Sequence, residues 1–357
     1  AEHRFIRKVV EQAVMAPSRG NQQPWKFVYD GDLQVFLTKE KTQSTGGDVA
    51  HKDALLAIGA LLENVEIVAD SLGKQAVFSM FPQPSTPELV ARVAFVEASQ
   101  PSGLAALQPQ IARRRTNCGP GNGDSVTPEE LDRLLEVASE VGVSLQLCQE
   151  LSSITELARV AGEADRLLMT SASLHRRFVG HMRWTPEEVE ASFDGVDLRS
   201  LELAPGEQVF MQMVRSPDVS LLLHDVQGGA VLESRAQRVV GSSAALGCLS
   251  SERSDEALVH TGRGLQRLWL VATQMGLSLQ PWSSVTELFY RAKFLSHAGV
   301  DPRNVEMLAA LHRRFLHHFL EEEQQFFACF FRIFRGAPVP SLARRRPLDD
   351  ILEFKCT

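Results

Sequence analysis

What this chain has little of narrows its reading first. It holds five cysteines, Cys118, Cys148, Cys248, Cys329 and Cys356. They are odd in number, widely scattered and form no C-x-x-C pair, which excludes a ribbon-type zinc site and argues against a disulfide scaffold. A reducing, cytoplasmic compartment is the expectation that follows. There is no basic excess: the formal net charge is −7, the wrong sign for displacing counterions from a nucleic acid. No window reaches the uninterrupted apolar length of a membrane span. Neither nucleic acid nor membrane is therefore expected as a partner. A signal peptide is not visible either, and the chain opens at Ala1 rather than a methionine. It is expected to be trimmed, or a piece of something longer.

What is present is enough apolar material, 44% of 357 residues, for two core-sized units or one large fused one. The most informative stretch is APSRGNQQPWKF, residues 16–27. It follows an amphipathic helix expected over 2–15 and ended by Pro17. A loop this rich in hydrogen-bonding groups, set on a rigid scaffold, belongs at a binding site. Two strands around Asp30-Gly31 come next, at 26–28 and 33–37. A Gly/Thr/Ser loop at 42–48 leads to a long helix over about 51–72, whose Leu55, Ile58, Leu62, Val65, Ala69 and Leu72 recur at helical spacing. Strands are expected at 76–81 and 89–96, then a linker over 97–110.

The segment ARRRTNCGPGNGDSVTPEEL follows, with a helix starting at its Thr127-Pro128. A strand at 143–148 and a helix at 152–172 come next. Residues 173–240 have the composition of an inserted helical arm or lid. A strand at 244–249, a helix at 254–275, a strand running into LQPWSS (279–284), a helix at 303–323 and a buried strand at 326–334 complete the pattern. The basic LARRRPLDDIL segment closes it.

Two of the long helices repeat each other. IGALLENVEIVADSLG (58–73) aligns with TGRGLQRLWLVATQMG (261–276) at a constant offset of 203 residues, placing Gly59 on Gly262 and Gly73 on Gly276. Each helix is followed by a strand, so duplication explains the match better than shared amphipathic periodicity, and it implies two similar halves packed in one chain.

Three segments together resemble the nitroreductase-like FMN proteins. APSRGNQQPWKF looks like that family's S-x-x-N-x-Q-P-W loop. RRRTN (113–117) is similar to the Arg-Arg-Ser/Thr segment that holds the FMN phosphate, and FRIFRGAPVPSLARRRPLDDIL (331–352) looks like the closing strand and basic C-terminal segment. The nearest resemblance is to the Acg-like branch, in which two halves share one chain, and domains of this sort also occur behind ThiF/E1-like adenylating domains. The implied fold is α+β, with mixed and antiparallel sheets flanked by helices and two halves forming a pseudo-dimer. The halves would span 1–110 and 111–357, the second carrying the arm at about 173–240.

The resemblance also implies site residues. FMN brings a dianionic phosphate, which needs fixed positive charge and N–H donors, and a flat apolar ring whose polar edge sets its potential. Arg113, Arg114, Thr116, Arg344, Arg345 and Arg346 would serve the phosphate. Ser18, Arg19, Asn21 and Gln23 would reach the flavin edge, while Trp25 pins the loop to the core. Pro281, Trp282 and Ser283 would bring a backbone N–H to the ring. Cys118 departs from the family pattern, where an arginine is common. The first half has the loop but no Arg-Arg-Ser/Thr segment, and the second has the reverse, so one FMN per chain is expected.

The expected function is an FMN-dependent oxidoreductase. It would take electrons from NADH or NADPH and reduce a small electrophilic substrate by flavin hydride transfer. The alternatives are a non-catalytic FMN-sequestering or storage protein with the arm as lid, and a module working with a fused or associated adenylating domain. A monomeric pseudo-dimer and a higher homo-oligomer both stay open. No side chain stands out as a general acid, and no metal is expected: His312, His317, His318 and Glu321 read as a solvated helix face. Gly119, Gly121 and Gly123 follow no strand, so they are not a dinucleotide fingerprint. His181, Arg183 and Trp184 are expected to anchor the arm, with closure over the flavin as the alternative.

Overall fold

The computed structural model describes residues 2–38, 47–100, 102–226, 228–339 and 342–355. Cys356 and most of the 42–48 loop lie outside them. The first half of the chain runs α1 (Glu2–Ala13), β1 (Trp25–Tyr29), β2 (Leu33–Leu37), α2 (Asp48–Ser71), β3 (Lys74–Met80) and β4 (Leu89–Glu97). After it come α3 (Gln108–Arg113), α4 (Pro128–Val141), β5 (Ser144–Cys148) and α5 (Leu151–Thr170). The arm contains α6 (Ala172–His181), β6 (Met182–Arg183), α7 (Pro186–Glu190), β7 (Val196–Asp197), α8 (Pro205–Val214), α9 (Pro217–Asp225) and α10 (Ala230–Val240). The remainder is β8 (Ala245–Glu252), α11 (Asp255–Gln274), β9 (Ser278–Pro281), α12 (Ser283–Phe294), α13 (Val305–Leu316), β10 (Gln325–Phe334), α14 (Leu348–Ile351) and β11 (Leu352–Phe354).

The architecture is α+β, with two main sheets. The first has the order β11-β1-β2-β4-β3 and the second β5-β8-β10-β9. Every pairing in them is antiparallel except that of β1 with β11, which is parallel and makes the first sheet mixed. The last strand of the chain thus joins the sheet built by its first hundred residues.

Helices α2 and α11 cross between the sheets. Helix α2 is buried along most of its length between Val49 and Ala69, largely through apolar residues, as a helix inside a core requires. The two aligned glycines of the repeat meet at the crossing. A Cβ on Gly59 would overlap the carbonyl oxygen of Val259, and one on Gly262 would overlap that of Leu56. Only glycine lets the two backbones touch there. Beyond the crossing, Glu63 is fully buried and takes ion pairs from both Arg263 and Arg267, and Gln266 donates to Asn64 at 2.8 Å.

Strand β10 separates two hydrophobic cores. Phe331 and Ile333 face the core shared with α2 and α11, while Phe327 and Phe330 face a second core made with α5, α12, α13 and the arm. A register shift between Phe327 and Cys329 puts Ala328 and Cys329 consecutively on the first side, the local effect of a bulge. The apolar run FFACFFRIF is therefore a strand buried on both faces, as its composition suggests.

Two expectations need correction. The 97–110 stretch is not a linker: a 3-10 turn at Leu104–Leu107 and α3 dock Leu107 and Ile111 into the main core. The spacing of Leu104, Leu107 and Ile111 carried that signal, and the neighbouring Pro109 obscured it while sitting harmlessly in the first turn of α3. The helix expected over 303–323 ends at Leu316, and a non-helical turn leads into β10. At α4 the expected N-cap is a full capping box, with Thr127 and Glu130 bonding each other's backbone N–H.

Candidate functional site

The 16–24 loop is held in an unusual backbone path. Gly20, Asn21 and Gln23 have φ of +60°, +51° and +51°, values that non-glycine residues adopt only when their surroundings hold them. Those surroundings are visible. The Gln23 N–H donates to Ser18 Oγ at 3.0 Å. The buried Gln23 side chain donates to the Phe193 carbonyl at 2.7 Å and accepts the Arg346 N–H at 2.9 Å. A Cβ on Gly20 would stand 2.9 Å from the His181 ring, so this loop and the arm are packed in contact. Trp25 is completely buried in β1, the pinning role its position implied.

This loop forms one wall of a cavity of about 430 Å³, within the range of small-molecule sites. Helix α2 supplies Lys52, Asp53 and Leu56, and α11 supplies Leu265 and Trp269. The start of α12, β10 and the arm tip supply further walls, together with Val339 and residues 342–345. Of the expected site residues, Ser18, Arg19, Asn21, Arg114, Thr116, Pro281, Ser283, Arg344 and Arg345 line it. Gln23, Arg113, Trp282 and Arg346 do not. Arg113 is solvent-exposed at the end of α3. The Trp282 side chain turns into the second core, and its backbone N–H donates to the Phe330 carbonyl at 2.7 Å. Ser283, the first residue of α12, lines the cavity, and its backbone N–H has no intrahelical acceptor.

One end of the cavity is cationic and unpaired. Arg114 is 6% exposed, and its Nε and one terminal nitrogen have no hydrogen-bond partner. The other terminal nitrogen donates to the Met15 carbonyl at 3.2 Å, and the guanidinium lies 4.5 Å over the Trp269 ring. Burial, with the charges of Arg345 and Arg115 alongside, pushes its pKa down to about 9. Arg345 is likewise lowered, to about 10, by burial and by Arg115. Its guanidinium holds the Val14 carbonyl and Asn21 Oδ1 at 2.7 and 3.0 Å. Arg115 is lowered by burial. Among the described residues no carboxylate pairs with any of these three, and Thr116 stands exposed beside them. An uncompensated buried cation is expensive, and this cluster is the arrangement an anion would relieve.

A second group of cations lies at the other end, and it is paired. Arg19 reaches Asp53 at 2.8 Å and also bonds Glu287. Glu287, fully buried on α12, additionally receives Arg177 from the arm and Arg291 at 2.9 Å. Lys52 pairs with Asp53 at 2.8 Å. Burial alone would raise the Glu287 carboxyl, but the guanidinium groups of Arg19, Arg177 and Arg291 overcome it and hold it at about 2. Asp53 is likewise held well below the usual carboxylate range, its burial outweighed by Lys52 and Arg19. His181 is pushed down to about 4 by burial and by Arg19 and Arg177. The guanidinium of Arg19 is thus committed to carboxylates rather than free for a ligand.

Arg344 and Arg346 belong mainly to the arm. Arg344 donates to the carbonyls of Val189 and Glu190 and lies 4.4 Å over the Phe193 ring. Arg346 approaches Asp194 at 3.4 Å. Arg183 pairs with Asp194 and also lines the cavity, while Trp184 is buried, so the HMRW segment both anchors the arm and reaches the site. Cys118 lines the cavity as a buried thiol pushed up by burial, with Gln280 donating to its sulfur at 3.3 Å. Sequence reasoning missed Lys52, Asp53, Arg177 and Glu287. The only signal was position: Lys52 and Asp53 open α2, and Glu287 lies one turn after the LQPWSS segment.

No protein-family model matches the chain. The chain is 31% identical over 348 residues to an uncharacterized protein of Mycobacterium tuberculosis, a match covering 95% of this chain and 46% of that protein. A putative NAD(P)H nitroreductase, acg, of the same species is 32% identical over 94 residues, or 26% of this chain and 28% of that one. Among solved structures, a putative nitroreductase from Anabaena variabilis aligns with 94% of this chain and 88% of its own, at 11% identity and a TM-score of 0.42. The FMN-dependent nitroreductase NfnB from Mycobacterium smegmatis, in complex with NADPH, aligns with 71% of this chain and all of its own, at 15% identity and a TM-score of 0.36. The chain thus resembles uncharacterized and putative nitroreductase proteins of mycobacteria, and it spans about half the length of the first of them.

Proposed function

We propose that the chain binds one FMN in this cavity and works as an oxidoreductase of the nitroreductase-like type, a pseudo-dimer that builds a single site. The observation that carries the reading is Arg114: a buried cation with two unbonded nitrogens, flanked by two more cations and, among the described residues, by no pairing carboxylate. A phosphate dianion is the group those donors suit. Arg114, Arg115 and Arg345 would hold it, with the Thr116 hydroxyl beside them. The similarity of about a quarter of the chain to a putative NAD(P)H nitroreductase supports a nicotinamide electron donor.

Bound FMN would supply two-electron transfer from NADH or NADPH to a small electrophile. The protein's part is placement and shielding. The apolar faces of α2 and α11 offer a flat wall through Leu56 and Leu265, while Ser283 leaves a main-chain donor at the cavity edge. The arm tip would shield its side of the cavity from bulk water, which would strengthen the polar contacts there. The test is a titration of purified protein with FMN, followed by anaerobic addition of NADH and of NADPH. One FMN per chain and bleaching of its absorbance are expected; two FMN per chain, or none, would overturn the reading.

The arm also favours a second reading. Its tip is itself a wall of the cavity, as a flavin-sequestering protein would require. Tight FMN binding without bleaching by either nucleotide would select that alternative. The greater length of the first relative leaves room for an associated adenylating domain, as the resemblance implies.

A further inference from the structure

The three consecutive arginines at 344–346 do two different jobs. Arg345 turns toward the loop and the unpaired cationic end. Arg344 and Arg346 turn to the arm tip. Both the tip and this C-terminal strap line the cavity: Val189, Ser192 and Asp194 from one, Leu342, Ala343 and Arg345 from the other. The seam between these two walls runs past Arg344.

The bonds across the seam are specific. Arg344 places one guanidinium nitrogen on two carbonyls, Val189 at 2.9 Å and Glu190 at 2.7 Å. These are the last carbonyls of the short helix α7, which have no intrahelical donor and attract a cation. The planar face of the same group covers Phe193, a contact that a lysine would not reproduce in shape. On the loop side, Asn21 Nδ2 donates to the Arg344 carbonyl at 3.0 Å while Asn21 Oδ1 accepts from Arg345. Gln23 repeats the pattern, bonding the Phe193 carbonyl and the Arg346 N–H. The loop, the strap and the tip therefore close as one unit around the anion end.

We infer that Arg344 is a positioning residue that clamps the arm tip over the cavity, so that release of the bound phosphate-bearing cofactor requires the Arg344 contacts to open. This rests on the flavin reading above. Arg345 holds the anion and its neighbour Arg344 holds the door, which ties cofactor retention to tip closure through adjacent residues.

The experiment compares wild type, Arg344→Ala and Arg345→Ala by two measurements. Hydrogen exchange of the amides at 189–197, without ligand, reads tip closure. The rate of FMN release on dilution, with titration of inorganic phosphate alone, reads retention. For Arg344→Ala we expect tip exchange and FMN release each to rise about tenfold or more, with α2 exchange unchanged. Phosphate affinity should stay within about twofold, since the anion donors are intact. For Arg345→Ala, phosphate affinity should fall while tip exchange stays as in wild type. Unchanged tip exchange in Arg344→Ala would overturn the clamp. Faster exchange with unchanged FMN release would overturn the link to retention. If no variant, wild type included, takes up FMN, the flavin reading falls separately, and the exchange comparison still decides the clamp.

Discussion

The two cationic ends of the cavity have similar ingredients and opposite fates. At one end Arg114, Arg115 and Arg345 crowd together with no counter-charge among the described residues. At the other, Arg19, Arg177 and Arg291 surround the buried carboxylate of Glu287, with Asp53 and Lys52 beside them. Arginine count does not distinguish the two ends; the placement of two carboxylates does. The paired end joins the loop, α2, the arm and α12, so it is a structural crosspiece. The unpaired end carries a charge deficit that none of the described residues fills, and an anionic ligand would fill it.

The contrast can be broken first at Glu287. Replacing it with alanine leaves three guanidinium groups without their shared partner, and about 3–5 kcal/mol of stability should be lost. Urea unfolding measures this, and a loss below about 1 kcal/mol would mean the network contributes little. Next in size is Arg114→Met. It should weaken FMN by about 1.5–3 kcal/mol, one to two orders of magnitude in affinity, yet leave the ligand-free protein as stable as before or more so. A destabilised ligand-free variant would show that the cluster is structural after all.

Acid and base sharpen the same contrast. Glu287 is held at about 2 in the folded protein, against an ordinary 4.5. Its contribution is complete above the ordinary value and disappears as pH falls through the folded one. Arg114 runs the other way: with its pKa pushed down to about 9, the unfolded chain holds more protons above that pH. The ligand-free protein should therefore gain stability from this group as pH rises past 9, while phosphate affinity falls over the same window. Titration of phosphate binding against pH checks the second half. The smallest effect belongs to Arg113→Ala, expected within about 0.5 kcal/mol in both stability and FMN affinity, because that side chain is exposed and lines no part of the cavity.

Much of the fold was legible because periodicity survives in buried elements: β2 spans 33–37 as its pattern predicts, and the glycine repeat marked the crossing of α2 with α11. The site was legible only in part. Arg114 and Thr116 follow from the RRRTN segment, but nothing in two arginine triplets says which member is buried without a partner. That depends on where Asp53 and Glu287 fall in space, and a lone glutamate on an apolar helix face carries no sequence mark of the guanidinium groups it will meet. Trp282 and Gln23 show the same limit. Both lie in segments that reach the cavity, and local backbone geometry turns each side chain away from it.

The glycine crossing sets a limit on how this cavity can change. Leu56, Ala57 and Ala60 come from one crossing helix, Leu265 and Trp269 from the other, and all five line the cavity. Its breadth is therefore fixed by how closely the two backbones approach at Gly59 and Gly262. A side chain at either glycine would act as a spacer, forcing the helices apart and moving Trp269 away from Arg114's other contacts. Variation among related chains in what they admit should accordingly concentrate in the arm tip and the strap. These can be rebuilt locally, whereas the helix pair behaves as a gauge that cannot be reset one residue at a time.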